Sequence, residues 1–186
     1  MITVYCMTKD PLYELHDANC ISLGKRAKKH RDETDVEAFE YYKKCFLAEH
    51  STMDVLMFRV IDDNCRSDII HQITRATEGR PRFVVQSSRP DWNNDEERKP
   101  SDKTFVKFSC YFNATAWLNI CRERLCNRAM TETHNWVSRV LAAMEDSNDP
   151  MLRALADVCV PQCTYRGGTC YETKGCGMYS YGYKKY

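Results

Sequence analysis

The chain has 186 residues, 43% of them apolar and 28% charged, enough to enclose one hydrophobic core and short for two. Its 27 basic side chains face 26 acidic ones, which excludes the uniform positive field that gathers nucleic acid or an anionic membrane, so anions must be held by a few local groups. No apolar run approaches the ~18 residues of a membrane span, and Met1-Ile2-Thr3-Val4-Tyr5-Cys6 lacks the basic and apolar parts of a secretion signal. A soluble, cytoplasmic protein is expected, with neither membrane nor nucleic-acid partners.

Ile2 to Met7 is a short β-prone run. Thr34-Asp35-Val36-Glu37 has capping-box spacing, and Phe39, Tyr42, Phe46 and Leu47 recur at helical intervals, which predicts a helix over about 35–49. Val55 to Ile61 is apolar and β-branched enough for a strand, closed by Asp62-Asp63-Asn64. Arg66 to Thr74 reads as a short helix ended by Gly79 and Pro81, and Arg82 to Gln86 as the next strand. The polar stretch Asp91 to Lys103 reads as a loop.

Val106, Phe108, Cys110 and Phe112 alternate with Lys107, Ser109 and Tyr111, the period of a half-buried strand. Asn113 then caps a helix through Trp117, Cys121 and Ala129 that continues through Trp136 to Met144, until Asp146 to Pro150 stops it. A last short helix around Leu152 and Leu155 leads into a Cys/Tyr/Gly-rich tail at 159–186. Strands and helices without regular βαβ alternation predict one α+β domain.

Of eleven cysteines, Cys6, Cys20, Cys45, Cys65, Cys110, Cys121 and Cys126 fall in patterned segments, where a reduced thiol behaves as a small hydrophobe. Cys159, Cys163, Cys170 and Cys176 lack the paired C-x2-C spacing of a zinc site and read as packed or redox-sensitive thiols. Tyr179, Tyr181, Tyr183 and Tyr186 read as a subunit contact or a mobile terminus rather than a stacking surface for bases.

No dinucleotide or phosphate-loop glycine motif is present, so a nucleotide must be held by side chains. His71-Gln72-Ile73-Thr74-Arg75 and Val85-Gln86-Ser87-Ser88-Arg89 carry amide, hydroxyl and guanidinium groups; an arginine fork binds phosphate, and glutamine both donates to and accepts from a pyrimidine edge. Asn113, Asn119 and Arg124 lie on one predicted helix, and the eleven residues from Asn113 to Arg124 make close to three turns, placing those two on one face.

The order of these groups resembles the flavin-dependent thymidylate synthases. That family's series is Ser/Thr and an acid before an apolar strand, an Arg opening the next helix, Gln-x-x-Arg-His-Arg, Ser-x-Arg-Tyr and Asn-x5-Asn-x4-Arg. Here stand Ser51 and Asp54, Arg66, Gln72 to Arg75, Ser87-Ser88-Arg89, then Asn113, Asn119 and Arg124, and the cysteine-containing tail also looks like that of some members. The resemblance implies a mainly antiparallel sheet packed by helices, a homotetramer with shared active sites, and FAD as cofactor. Methylenetetrahydrofolate and NADPH are the implied co-substrates, and a pyrimidine nucleoside monophosphate the partner.

It further implies that Arg124 contacts the pyrimidine ring and favours ionisation at N3, as a permanent cation can. Ser51, Arg75, Asn113 and Asn119 correspond to flavin-contacting positions, and Gln72, Arg75, Val85, Gln86, Ser87, Ser88 and Arg89 to substrate-binding ones. The sequence departs from the family where Arg75-Ala76-Thr77 replaces Arg-His-Arg, Pro90 replaces tyrosine, Val85 stands for an acid, Met130 for a glutamine, and the stretch between Arg89 and Asn113 is short. Methylation of dUMP to dTMP therefore stands beside two alternatives: hydroxymethylation of dUMP, dCMP or another pyrimidine monophosphate, and a non-catalytic nucleotide-binding relative.

Overall fold

A computed structural model describes residues 1–27, 33–76, 82–87 and 104–182. Four strands, β1 (Ile2–Cys6), β2 (Met57–Arg66), β3 (Arg82–Val85) and β4 (Phe105–Asn113), pair antiparallel in the order β1-β2-β4-β3. Alternation sets the two faces of this sheet. Phe58, Val60, Phe108, Cys110 and Phe112 point into the core and are buried, whereas Tyr5, Arg59 and Tyr111 line up in register on the other face. There the Arg59 guanidinium lies 5.2 Å from the Tyr111 ring and donates through Nε to Ser109 Oγ at 2.8 Å.

Helices cover the apolar face: α1 (Pro11–Ser22), α2 (Asp35–Ala48), α3 (Ser67–Ala76), α4 (Ala114–Arg124), α5 (Thr131–Glu145) and α6 (Pro150–Asp157). The architecture is the expected α+β domain with an antiparallel sheet. The helix from 35 forms as the capping box predicts, Thr34 and Glu37 bonding reciprocally to each other's backbone. These hydrogen bonds hold the exposed Glu37 carboxyl below its ordinary pKa. Helix α1, with Asp10 as cap and Pro11 in its first turn, carries start signals that the hydrophobic pattern alone does not reveal.

Two expectations are corrected. The strand does not close at Asp62-Asp63-Asn64 but runs to Arg66 across a bulge between Asp62 and Cys65. Asp62 is fully buried, its carboxylate accepting from Trp136 Nε1 at 2.9 Å and Asn64 N at 3.0 Å, so its polarity serves the core rather than a turn. The long helix expected from Asn113 to Met144 is two, because the chain turns between Arg124 and Thr131. The reversal brings Trp117 and Trp136 edge to face, centroids 6.4 Å apart, in one core. A straight helix would carry the second tryptophan away from the sheet.

Cys65, Cys110 and Cys121 are buried among the apolar side chains, while Cys6, Cys20, Cys45 and Cys126 are half-buried. Burial pushes the Cys65 and Cys110 thiols up to about 12. After α6 the tail folds back as α7 (Gln162–Tyr165) and a two-residue parallel ladder of β5 (Thr169–Cys170) with β6 (Ser180–Tyr181). Gly182 closes that ladder through its N–H to the Cys170 carbonyl at 2.7 Å, where an added Cβ would lie 2.5 Å from the Tyr171 ring. Tyr179 is half-buried, its hydroxyl 3.3 Å from Thr164 Oγ1, so through residue 182 the tail is a folded element. Among the described residues no helix is long and apolar enough to cross a membrane, and no three His, Cys, Asp or Glu side chains are placed to hold a metal ion.

Candidate functional site

Helix α4 spaces the candidate residues. At its N-terminus the Asn113 side chain caps the helix, Oδ1 accepting from Ala116 N at 2.8 Å. What Asn113 keeps for a ligand is its Nδ2 donor. The 3-10 turn Ser51–Val55 packs against this end, with the Thr115 hydroxyl donating to Asp54 and Ala114 N donating to the Leu56 carbonyl at 3.2 Å. Ser51 and Asn113 thus belong to one end of the helix. Asn119 sits midway on the exposed side, accepting from Arg122 Nη1 at 3.2 Å.

Arg124 closes the other end, where its Nη2 donates to the Gln72 carbonyl of α3 at 3.2 Å and lies 3.7 Å from Glu123. Its side chain is only 19% exposed, and its Nε is buried with no hydrogen-bond partner among the described residues. A buried guanidinium with an orphan N–H is costly unless an acceptor arrives. Arg75 lies exposed in the last turn of α3, beside the half-buried Gln72.

Val85 ends β3, and Gln86 prolongs the pairing with β4, its N–H donating to the Lys107 carbonyl at 2.9 Å and its Oε1 accepting from Lys107 N at 3.1 Å. The Gln86 main chain therefore serves the sheet, and its side-chain oxygen is engaged with it. Ser87 follows, half-buried. Ser88, Arg89 and Pro90 lie outside the described residues, as does the loop expected over 91–103. Arg66, placed by the sequence at the start of a helix, ends β2 and forks onto Asp68, with Nε–Oδ1 at 3.1 Å and Nη2–Oδ2 at 2.5 Å, and reaches Glu132 at 3.0 Å. Hydrogen bonding to Arg66 holds the Asp68 carboxyl below its ordinary range, so this arginine clips α3 to α5.

A cleft of about 650 Å³ opens where Arg124 ends its helix. One wall is the turn after α4, including Cys126 and Arg128; the other is the folded tail, including Arg166, Tyr171 and Tyr179. Sequence reasoning did not place the tail here. The signal available was weak: an arginine among glycines and tyrosines, with nothing to say against which helix the segment folds.

Cys121, the thiol on the same helix as Arg124, is not set up as a nucleophile. Cys121, on α4 one turn before Arg124, has its pKa raised by burial and by the hydrogen bond it shares with Cys159. A thiol in that state is a poor nucleophile.

No family model matches the sequence, and the search of curated proteins finds no match. Among solved structures, flavin-dependent thymidylate synthase ThyX from Helicobacter pylori, complexed with FAD and dUMP, superposes with a TM-score of 0.63 over 85% of this chain and 99% of its own, at 13% identity. The chain has the flavin-dependent thymidylate synthase fold. A second structure of the Helicobacter pylori ThyX with FAD and dUMP gives a TM-score of 0.61 at 11% identity, again covering 99% of that chain. Because nearly all of the ThyX chain is matched, the thymidylate synthase architecture is present here from end to end rather than as a shared fragment. At such identities the likeness is one of fold, and side-chain roles rest on the residues themselves.

Proposed function

We propose that the protein is a flavin-dependent enzyme that places a one-carbon group on C5 of a pyrimidine nucleotide, converting dUMP to dTMP with methylenetetrahydrofolate as carbon donor. The observation that carries this reading is Arg124: a guanidinium that is 19% exposed, fixed by a main-chain carbonyl and left with an orphan Nε–H beside a cleft of nucleotide size. Support comes also from the fold shared with a protein solved with FAD and dUMP.

A guanidinium stays charged at any physiological pH, so Arg124 polarises the base and stabilises negative charge on the ring as C5 becomes nucleophilic, without acting as a base. Gln72, Ser87, Ser88 and Arg89, with Val85 and Gln86, hold the nucleotide; Arg75 stands between it and the cofactor. Ser51, Asn113 and Asn119 offer hydroxyl and amide groups to the flavin, a role that the capped Asn113 can fill with Nδ2. FAD, if held by Ser51, Asn113 and Asn119 and reduced by NADPH, would supply the two electrons that bring the transferred carbon to the methyl level.

Asn113 and Arg124 stand at opposite ends of α4, roughly 16 Å apart along its axis at about 1.5 Å per residue. A homotetramer with shared active sites is part of the proposal because the resemblance to the flavin-dependent thymidylate synthases implies it. Arg75-Ala76-Thr77 favours a second reading, hydroxymethylation, since the exposed end of α3 brings only one basic side chain, Arg75, to the place where the family has three.

Tritium release from C5-labelled dUMP, dCMP and UMP, with the product mass recorded, tests both readings. Methyl product from dUMP is expected, and release without a methyl adduct would move the assignment to hydroxymethylation. Arg124→Ala should lower turnover about a hundredfold or more while leaving the flavin spectrum of the protein intact. A colourless protein that takes up no added flavin would end the enzymatic reading.

A further inference from the structure

Outside the cleft, to whose lining neither α1 nor α2 contributes, these two helices meet through side chains that the proposed one-carbon chemistry does not use. His16, Asn19 and Cys20 are three and four residues apart and share one face of α1, and Tyr41 and Cys45 share one face of α2 in the same way. All five are half-buried. Asn19 ties the two faces together, its Nδ2 donating to the Tyr41 hydroxyl at 2.9 Å and to Cys45 Sγ at 3.5 Å. The His16 ring stands edge-on to Tyr41 with centroids 6.5 Å apart, and its Nε2 lies 3.8 Å from Cys20 Sγ.

A thiol beside an imidazole is an arrangement that makes sulfur nucleophilic, because with the ring proton on Nδ1 the Nε2 lone pair accepts the proton that sulfur must lose. Cys6 shows the opposite setting: burial, and then the charge of Asp149, push its thiol up to about 12. On α1 the carboxylate one turn before Cys20, Asp17, is committed elsewhere, to Arg26 Nη1 at 3.0 Å and Ala27 N at 2.9 Å. Half-burial leaves the Cys20 sulfur reachable by a small molecule.

We propose that Cys20, with His16 as its base, is a site of covalent modification by low-molecular-weight disulfides such as glutathione disulfide. His16 Nε2 takes the thiol proton, and the Cys20 sulfur attacks one sulfur of the reagent. A new S–S bond forms to Cys20 as the old one breaks, and the leaving thiolate takes the proton back from the imidazolium. Cys20 is oxidised and the departing half of the reagent is reduced. The adduct stands where Asn19 joins α1 to Tyr41 and Cys45. No part of this step depends on the nucleotide reaction.

The test treats the full-length protein with glutathione disulfide near neutral pH, quenches in acid and maps the adducts by peptide mass. In the wild type, Cys20 should be modified at least about as fast as Cys176, although Cys176 is exposed and Cys20 half-buried. That arm needs no variant. His16→Gln keeps a polar side chain and removes the base, so it should slow Cys20 about tenfold or more and leave Cys176 unchanged. Simple loosening of α1 would expose Cys20 and speed its reaction, so the direction of the change reads the imidazole. No adduct at Cys20 while Cys176 is modified, or a Cys20 rate that His16→Gln leaves unchanged or raises, overturns the proposal.

Discussion

The sheet and the tail both organise aromatic rings, by different means. Around Phe58, Phe112 and Trp117 the rings are 0–1% exposed, with centroids 5.2–5.6 Å apart, held by area removed from water and by close packing. In the tail, Tyr165 is 47% exposed and Tyr171 43%, each lying under a guanidinium, and the Tyr165 hydroxyl donates to Glu49 at 3.2 Å. Contacts of that kind in water contribute about 0.5–1 kcal/mol each. The sheet is thus the cooperative part of the molecule and the tail the adjustable part, and it is the adjustable part that walls the cleft.

Thiol reactivity should divide the two regions most sharply. Cys110 in the sheet is buried with its thiol pushed up to about 12, while Cys176 in the tail is exposed and accepts only a long contact of 3.8 Å from Asn127. The thiolate is the reactive form, so alkylation at pH 8 followed by peptide mass mapping should label Cys176 at least about a hundredfold faster. Comparable rates would show that the sheet opens as readily as the tail. Next in size, Phe58→Ala removes a fully buried ring against Phe112 and Trp117 and should lower the stability of the whole domain by about 3–5 kcal/mol in urea unfolding. A loss below about 1 kcal/mol would contradict the packing described.

The smallest global effect belongs to Gly168→Ala. Gly168 has φ +86, and a Cβ there would press at 3.3 Å on the Tyr179 ring, a local cost of about 1–3 kcal/mol. Limited proteolysis after residue 160 should quicken while the main unfolding transition stays in place. A transition shifted as far as by Phe58→Ala would make the tail part of the core.

Much of the scaffold was legible. Alternation over 106–112 gave β4, and Thr34 with Glu37 gave the start of α2, because both signals act between near neighbours in the chain. Asp62 was misread because a carboxylate before Asp63 and Asn64 looks like a turn, and only the distant Trp136 N–H explains its burial. The break after Arg124 was missed because residues 125–129 contain neither glycine nor proline; the reason for the turn is that two tryptophans share one core. At the site, the sequence placed Arg124 and Gln72 in one constellation, and the fold joins them through a main-chain carbonyl that no side-chain pattern announces.

Read alone, the sequence determined the α+β class and the helix that carries Asn113, Asn119 and Arg124, since local periodicity suffices for these, and it set out the ordered series of polar groups that resembles the flavin-dependent thymidylate synthases. Tertiary structure alone decided which end of that helix faces a cleft, which arginines are already occupied and which are not, and that the tail forms the opposite wall. Those facts depend on contacts between segments far apart in the chain, such as Glu49 with Tyr165 across 116 residues, whose pairing is set by packing of the whole chain.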